Sequence, residues 1–157
     1  TGVGAPHVWN GDEVGMWGAD DPDERKPVVW TDLRYDEETT HPFGRTRPRN
    51  QVAPDTALLR VYRELIALRR QHLRLFVDGT MAWLLTDDAQ GLLAYERVLG
   101  DQRAVVAFNV SGATRRVSVA AQGTYRPVFP AGGPVTAVDG KLSADLPPRT
   151  ARVWIRE

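Results

Sequence analysis

Apolar and polar residues along the chain fall into three regimes of spacing. The first, up to Pro54, has no sustained period. Within it, residues 5 to 9, "APHVW", form a short apolar run halted by Asn10-Gly11, the pattern of a buried strand ending in a turn. Gly11 to Pro54 then mixes glycine, proline and dense charge, a long loop by pattern. Compact domains seldom carry so long an irregular stretch unless it is functional or disordered. Embedded Trp17, Trp30, Tyr35 and Phe43 predict that this one folds against something.

The second regime is helical. In "PDTALLRVYRELIALRRQHLRLF", Leu58, Val61, Tyr62, Leu65, Ile66, Leu68 and Leu73 recur at three- and four-residue spacing and make one apolar stripe. Asp55 or Thr56 is placed to accept hydrogen bonds from the first free backbone N–H groups. Arg69, Arg70 and Arg74 gather at the other end, where exposed carbonyls favour positive charge.

After Asp78-Gly79 the pattern changes to short runs rich in valine, leucine, alanine and aromatics: "TMAWLLT", "GLLAYERVL", "RAVVAFNV", "TRRVSVA", "TYRPVF", "PVTAV", "KLSADL" and "ARVWIR". Turn signals such as Asp87-Asp88, Ser111-Gly112, Asp139-Gly140 and Pro147-Pro148 separate them. About eight strands at this spacing predict an antiparallel sandwich of Greek-key type. Alternation in "RRVSVA" and "RVWIR" predicts strands with one wet face. The fold class expected is therefore mostly β.

Composition narrows the function classes. Twenty basic and twenty acidic side chains cancel over 157 residues, so no long-range field draws the chain toward nucleic acid or an anionic membrane. Arg45, Arg47 and Arg49 form the one basic run, without the interleaved aromatics that base stacking requires. No apolar run reaches the roughly 20 residues of a membrane span. The chain has no cysteine, which excludes disulfides, thiolate metal sites and a cysteine nucleophile. The opening "TGVGAPHVW" has neither an initiator methionine nor a signal-peptide layout, so an internal start is expected and the compartment stays open.

The candidate chemistry concentrates in "HVWNGDEVGMWGADDPDERKP", residues 7 to 27. Asp12 and Glu13 are adjacent, and neighbours in an extended chain point to opposite faces. Glycoside hydrolysis needs two carboxyl groups aimed at one bond. The pair therefore reads more strongly as a structural clasp, its carboxylates accepting from backbone N–H groups or arginines. The acidic cluster "ADDPDER" lacks the ligand spacing of a calcium loop and carries its own counter-charge in Arg25 and Lys26. His7, His41 and His72 lie far apart with no ligand spacing. No metal or cofactor site is expected in this chain. Sugar recognition fits the loop better, because sugars present hydroxyl fans over apolar C–H faces. Asp21, Arg25 and Trp17 supply carboxylate, guanidinium and aromatic platform close together. The plainer alternative is that Asp21 and Arg25 pair with each other over a packed Trp17.

"GAPHVWNGDEVGMWGADDPDERKPVVW", the following helix, "DDAQGLLAYERV" and the closing "LPPRTARVWI" together resemble the C-terminal portion of an α-amylase-superfamily glycosidase. The likeness is to the neopullulanase, cyclomaltodextrinase and maltogenic amylase branch, and it covers nearly the whole chain. The family's Tyr-Tyr before Gly-Asp-Glu is Trp9-Asn10 here, and its methionine before the tryptophan is Val28. The resemblance implies that residues 1 to 77 are the last strand, long loop and helix of a truncated β/α barrel, and that residues 78 to 157 are the C-terminal sandwich. It implies that Asp21 and Arg25 contact glucose units at the barrel mouth, where the loops after barrel strands carry active sites.

The family's catalytic carboxylates lie after earlier barrel strands, and none of those motifs occurs in this sequence. The expectation is a fragment of an α-glucan-acting glycoside hydrolase that is inactive alone, partnered by an upstream catalytic barrel and, through it, by α-glucan oligosaccharide. Calcium belongs to the parent enzyme if anywhere. Two rivals remain open. One is a stand-alone carbohydrate-binding or interaction module presenting Trp83, Tyr95, Tyr125 or Trp154 on an exposed sheet face. The other is a transglycosylase of the same superfamily.

Overall fold

A computed structural model describes residues 1–16, 18, 25–41, 43–46, 49 and 51–157. It divides into two compact units, one made of Thr1–Gly4 with Leu65–Glu157 and the other of Ala5–Glu64.

All eight strands form: β1 (Thr80–Asp87), β2 (Leu92–Leu99), β3 (Gln102–Asn109), β4 (Arg115–Ala120), β5 (Thr124–Phe129), β6 (Val135–Thr136), β7 (Lys141–Leu146) and β8 (Thr150–Arg156). They make a six-stranded sheet in the order β1-β2-β3-β8-β5-β6 and a two-stranded sheet β4-β7. Every pairing is antiparallel. The chain leaves the large sheet after β3 to build β4, returns to it for β5 and β6, leaves again for β7, and comes back to insert β8 between β3 and β5.

The inner faces meet over Ala94, Val105, Ala107, Val117, Val119, Tyr125, Leu142, Leu146 and Trp154, all buried. A second cluster covers the outer face of the large sheet. There Tyr95, Ala104, Val106 and Val153 pack with Leu68, Leu75 and Phe76. The continuous apolar run of β3 has this cause, since Val105 and Ala107 serve one cluster while Ala104 and Val106 serve the other.

β4 alternates as expected, with Val117 and Val119 buried and Arg116, Ser118 and Ala120 exposed. β8 corrects the same expectation for "RVWIR". Val153 and Trp154 are both buried, one in each cluster, because β8 is an interior strand covered on both faces. At the edge, β1 carries a register shift between Trp83 and Leu85, a device that discourages further strand addition.

Two buried polar side chains tie the sandwich together. Asn109 Nδ2 donates to the carbonyls of Ala113, Leu146 and Pro147 at 2.8–2.9 Å, while its Oδ1 accepts from Ser111 N and Oγ. Arg97, fully buried, donates to the carbonyls of Thr1, Gly79 and Thr80. Those groups include the end of a short helix, and exposed helix C-terminal carbonyls favour a cation.

The helical regime is two helices, α1 (Thr56–Gln71) and α2 (Leu73–Asp78), rather than one. The break falls at His72, whose φ of −114° and ψ of 38° leave the helical region. Asp55 caps α1, its Oδ1 accepting from Leu58 N at 2.9 Å. The apolar stripe is only partly covered. Leu68 is buried, whereas Val61, Leu65, Ile66 and Leu73 are 38–49% exposed.

The strand expected at residues 5–9 is a further correction. Those residues carry no strand assignment. A strand takes its hydrogen bonds from neighbours, and the backbone bond recorded from this run is a turn, Asp12 N to Trp9 O at 3.0 Å.

Candidate functional site

The loop that carries the candidate chemistry begins with a single 3₁₀ turn, Asp12–Val14, between two glycines in left-handed conformation, Gly11 at φ 103° and Gly15 at φ 64°. Only glycine adopts such angles freely. A Cβ at Gly11 would also sit 2.5 Å from Met16 Sδ. Asp12 Oδ2 accepts from Trp9 N at 3.2 Å, and Glu13 Oε2 accepts from Gly11 N at 3.0 Å. The adjacent carboxylates thus clasp their own turn, the structural role expected of them. Val14 is buried, and its carbonyl accepts from Asp55 N at 2.9 Å, fastening the turn to the start of α1.

Of the three sugar-contact candidates, Arg25 is described and exposed. Asp21 and Trp17 lie outside the described residues. Beside Arg25, Lys26 pairs with Glu38, and farther along Glu37 pairs with Arg49. Trp30 N donates to the Tyr35 hydroxyl at 2.8 Å. Lys26, Val29, Tyr35, Asp36, Glu38 and Val52 are among the residues lining a cleft of about 380 Å³ in this unit. Its polar groups are carboxylates, hydroxyls and an ammonium, which can exchange hydrogen bonds with a polyol. Trp30 and Phe43 are 60% and 57% exposed in the same unit, with Arg45 lying over the Phe43 ring at 5.7 Å.

Among the described residues no group of His, Asp and Glu side chains is arranged to hold a metal ion. No described helix is long and apolar enough to cross a membrane. His72, half-buried beside Phe76 with ring centroids 6.2 Å apart, has its pKa lowered by burial.

The aromatic platform required of a stand-alone sugar-binding sandwich is reduced to one residue. Tyr95, Tyr125 and Trp154 are 0–5% exposed and belong to the two apolar clusters. Trp83 alone among the four candidates is open, at 59%, held edge-on against Tyr95 with centroids 5.6 Å apart.

Two antiparallel sheets closed over one apolar core, with short helices on the outer face of the larger, define an all-β sandwich domain. Residues 83–157 match the family model described as the α-amylase C-terminal all-beta domain, and that part of the chain is a domain of this family. Neopullulanase 2 of Thermoactinomyces vulgaris is 31% identical over 117 residues, covering 74% of this chain and 17% of that protein. A cyclomaltodextrinase of Geobacillus thermopakistaniensis (strain MAS1) is 28% identical over 150 residues, 94% of this chain and 22% of that protein. Among solved structures, an Anoxybacillus α-amylase superposes with a TM-score of 0.69 at 23% identity, covering 93% of this chain and 27% of that one. The chain thus spans about a fifth of the length of the curated relatives it matches.

Proposed function

We propose that this chain is the C-terminal part of a retaining α-glucan glycoside hydrolase. In this reading residues 1–77 complete a catalytic β/α barrel and residues 78–157 are its supporting sandwich. The observation that carries the reading is the alignment of 94% of the chain with only 22% of a cyclomaltodextrinase. The uncovered apolar side chains of the loop and of α1 support it, since they are suited to packing against a body larger than this chain. The substrates are α-1,4 or α-1,6 linked maltooligosaccharides, cyclodextrins or pullulan.

Catalysis in that family type rests on two carboxyl groups flanking the scissile bond, supplied by the part of the barrel upstream of Thr1. The role left to this chain is to position sugar, with Asp21, Arg25 and Trp17 at the barrel mouth. Arg25 offers two parallel N–H donors to vicinal hydroxyls, which fixes a glucose ring without taking part in bond cleavage. Turnover tests both levels. The chain alone is expected to leave maltotriose and β-cyclodextrin intact, and measurable hydrolysis by a pure sample would refute the reading. In the longer polypeptide, Arg25→Ala is expected to raise KM with little change in kcat, and unchanged kinetics across substrate lengths would remove the subsite.

A further inference from the structure

The strand period places three charged residues on the face where apolar ones belong. On the large sheet the inner face is set by Ala94 of β2, Val105 of β3 and Trp154 of β8, all in the core between the sheets. One step of two residues farther along each strand, on that same face, stand Glu96, Arg103 and Arg156. Charged groups on a core-facing row break the binary pattern that the rest of the sandwich obeys, and such local violations mark functional or strained places.

The small sheet leaves room for them. β4 ends at Ala120 and β7 begins at Lys141, and between the two sheets at this end lies a cleft of about 420 Å³, lined by Glu96, Arg103, Arg156, Gln122, Leu84 and Ala121 with their neighbours. Its polar groups are held in place. Arg103 is bonded to Glu96 at 3.3 Å, with both side chains partly buried. Gly123, at φ +91°, leaves space for Arg156, since a Cβ there would come within 3.3 Å of Arg156 Nε. Behind them the hydroxyl of the buried Tyr125 faces the Arg103 and Arg156 guanidinium groups, and burial pushes its pKa up against their opposing pull.

We propose that this cleft binds a neutral polyhydroxylated ligand, one or two sugar units. A polyol needs acceptors and donors together. Glu96 accepts, the two guanidinium groups donate, and the Gln122 amide does both, while Leu84 and Ala121 offer an apolar patch to a C–H face. A simple anion fits worse, because the Glu96 carboxylate sits in the lining and already balances Arg103. The choice of glucose as the sugar, though not the polyol class, rests on the α-glucan reading above.

The test is a titration of the whole chain followed by backbone amide chemical shifts, with maltose as one probe and inorganic phosphate as the other. Saturable maltose shifts at Glu96, Arg103, Gln122, Gly123 and Arg156 are expected, with a dissociation constant of roughly 1 mM, typical of a weak site. Glu96→Gln and Arg156→Ala should each weaken maltose binding about tenfold, near the 1.4 kcal/mol worth of one good polar contact. Thermal melting run in parallel shows that each variant is folded; Arg156 is exposed, so its loss should leave the melt unchanged. Phosphate shifts without maltose shifts, maltose shifts confined to the surroundings of Trp83, or no saturable response to either probe would each overturn the proposal. All of these leave the hydrolase reading standing, because turnover by the longer polypeptide decides that separately.

Discussion

The sandwich and the segment from Ala5 to Glu64 are built from similar residue types and bury them very differently. In the sandwich, Trp154, Tyr125, Leu142 and Leu146 are 0–1% exposed. In the segment, the buried apolar side chains among the described residues are Val14 and Val29, while Trp9, Trp30, Leu33 and Phe43 stand 55–68% exposed. The difference lies in hydrogen-bonding partners as much as in hydrophobicity. Each strand after Gly79 finds a partner within the chain, and the interior strands β2, β3 and β8 are covered on both faces. Residues 5–9 have the composition of a strand and no ladder to join.

Substitutions in the sandwich should expose this contrast most strongly. Trp154→Ala removes the largest fully buried side chain from the inter-sheet core and is expected to cost about 3–5 kcal/mol, read from urea unfolding of the strand signal. A truncation of similar size at Trp30, which is 60% exposed, should fall within about 0.5 kcal/mol. Equal costs at the two positions would erase the distinction between the regions.

A smaller effect is expected at Asn109. Asn109→Leu keeps the volume but leaves the Leu146 and Pro147 carbonyls without their donor, at a cost of about 1–3 kcal/mol in the same assay. A neutral result would mean that water replaces the amide and that the connection between β3 and the end of β7 is not fixed by this side chain.

The smallest effect is a pH dependence at the helix break. Burial lowers the His72 pKa below its ordinary 6.5, so the folded state binds fewer protons there than the unfolded chain. The stabilising contribution is thus complete above pH 6.5 and is lost as pH falls through the lowered folded value. Its Nε2 has no hydrogen-bond partner among the described residues, and Arg70, Arg74 and Gln102 line the same small cleft. Comparing the pH profile of unfolding with that of His72→Gln should show the wild type losing more stability on acidification. Parallel profiles would remove His72 from the account.

The turn chemistry made all eight strands legible, because Asp-Gly, Ser-Gly and Pro-Pro pairs separate runs too short to be anything else. The helix break at His72 was not legible, since the apolar spacing of Leu68 and Leu73 continues across it and only the backbone angles reveal it. The wet face expected for β8 failed for a topological reason. Alternation in "RVWIR" cannot say that the strand is inserted between β3 and β5, with apolar clusters on both sides. The carboxylate clasp of Asp12 and Glu13 was readable from their adjacency alone. The cleft at the end of the sandwich was not, because Glu96, Arg103 and Arg156 come from three strands and converge only once register is known. Of the proposed sugar contacts, only Arg25 has a described position, and it is exposed.

Amide hydrogen exchange, measured side by side on this chain and on the longer polypeptide, tests the central claim most directly. If the segment from Ala5 to Glu64 is completed by an upstream barrel, the amides of β3 and β8 should be equally protected in both samples, and those of Leu33, Tyr35 and the run from Ala5 to Trp9 protected only in the longer one. Equal protection of that segment in both samples would contradict the account, since the chain would then need no larger body to finish it.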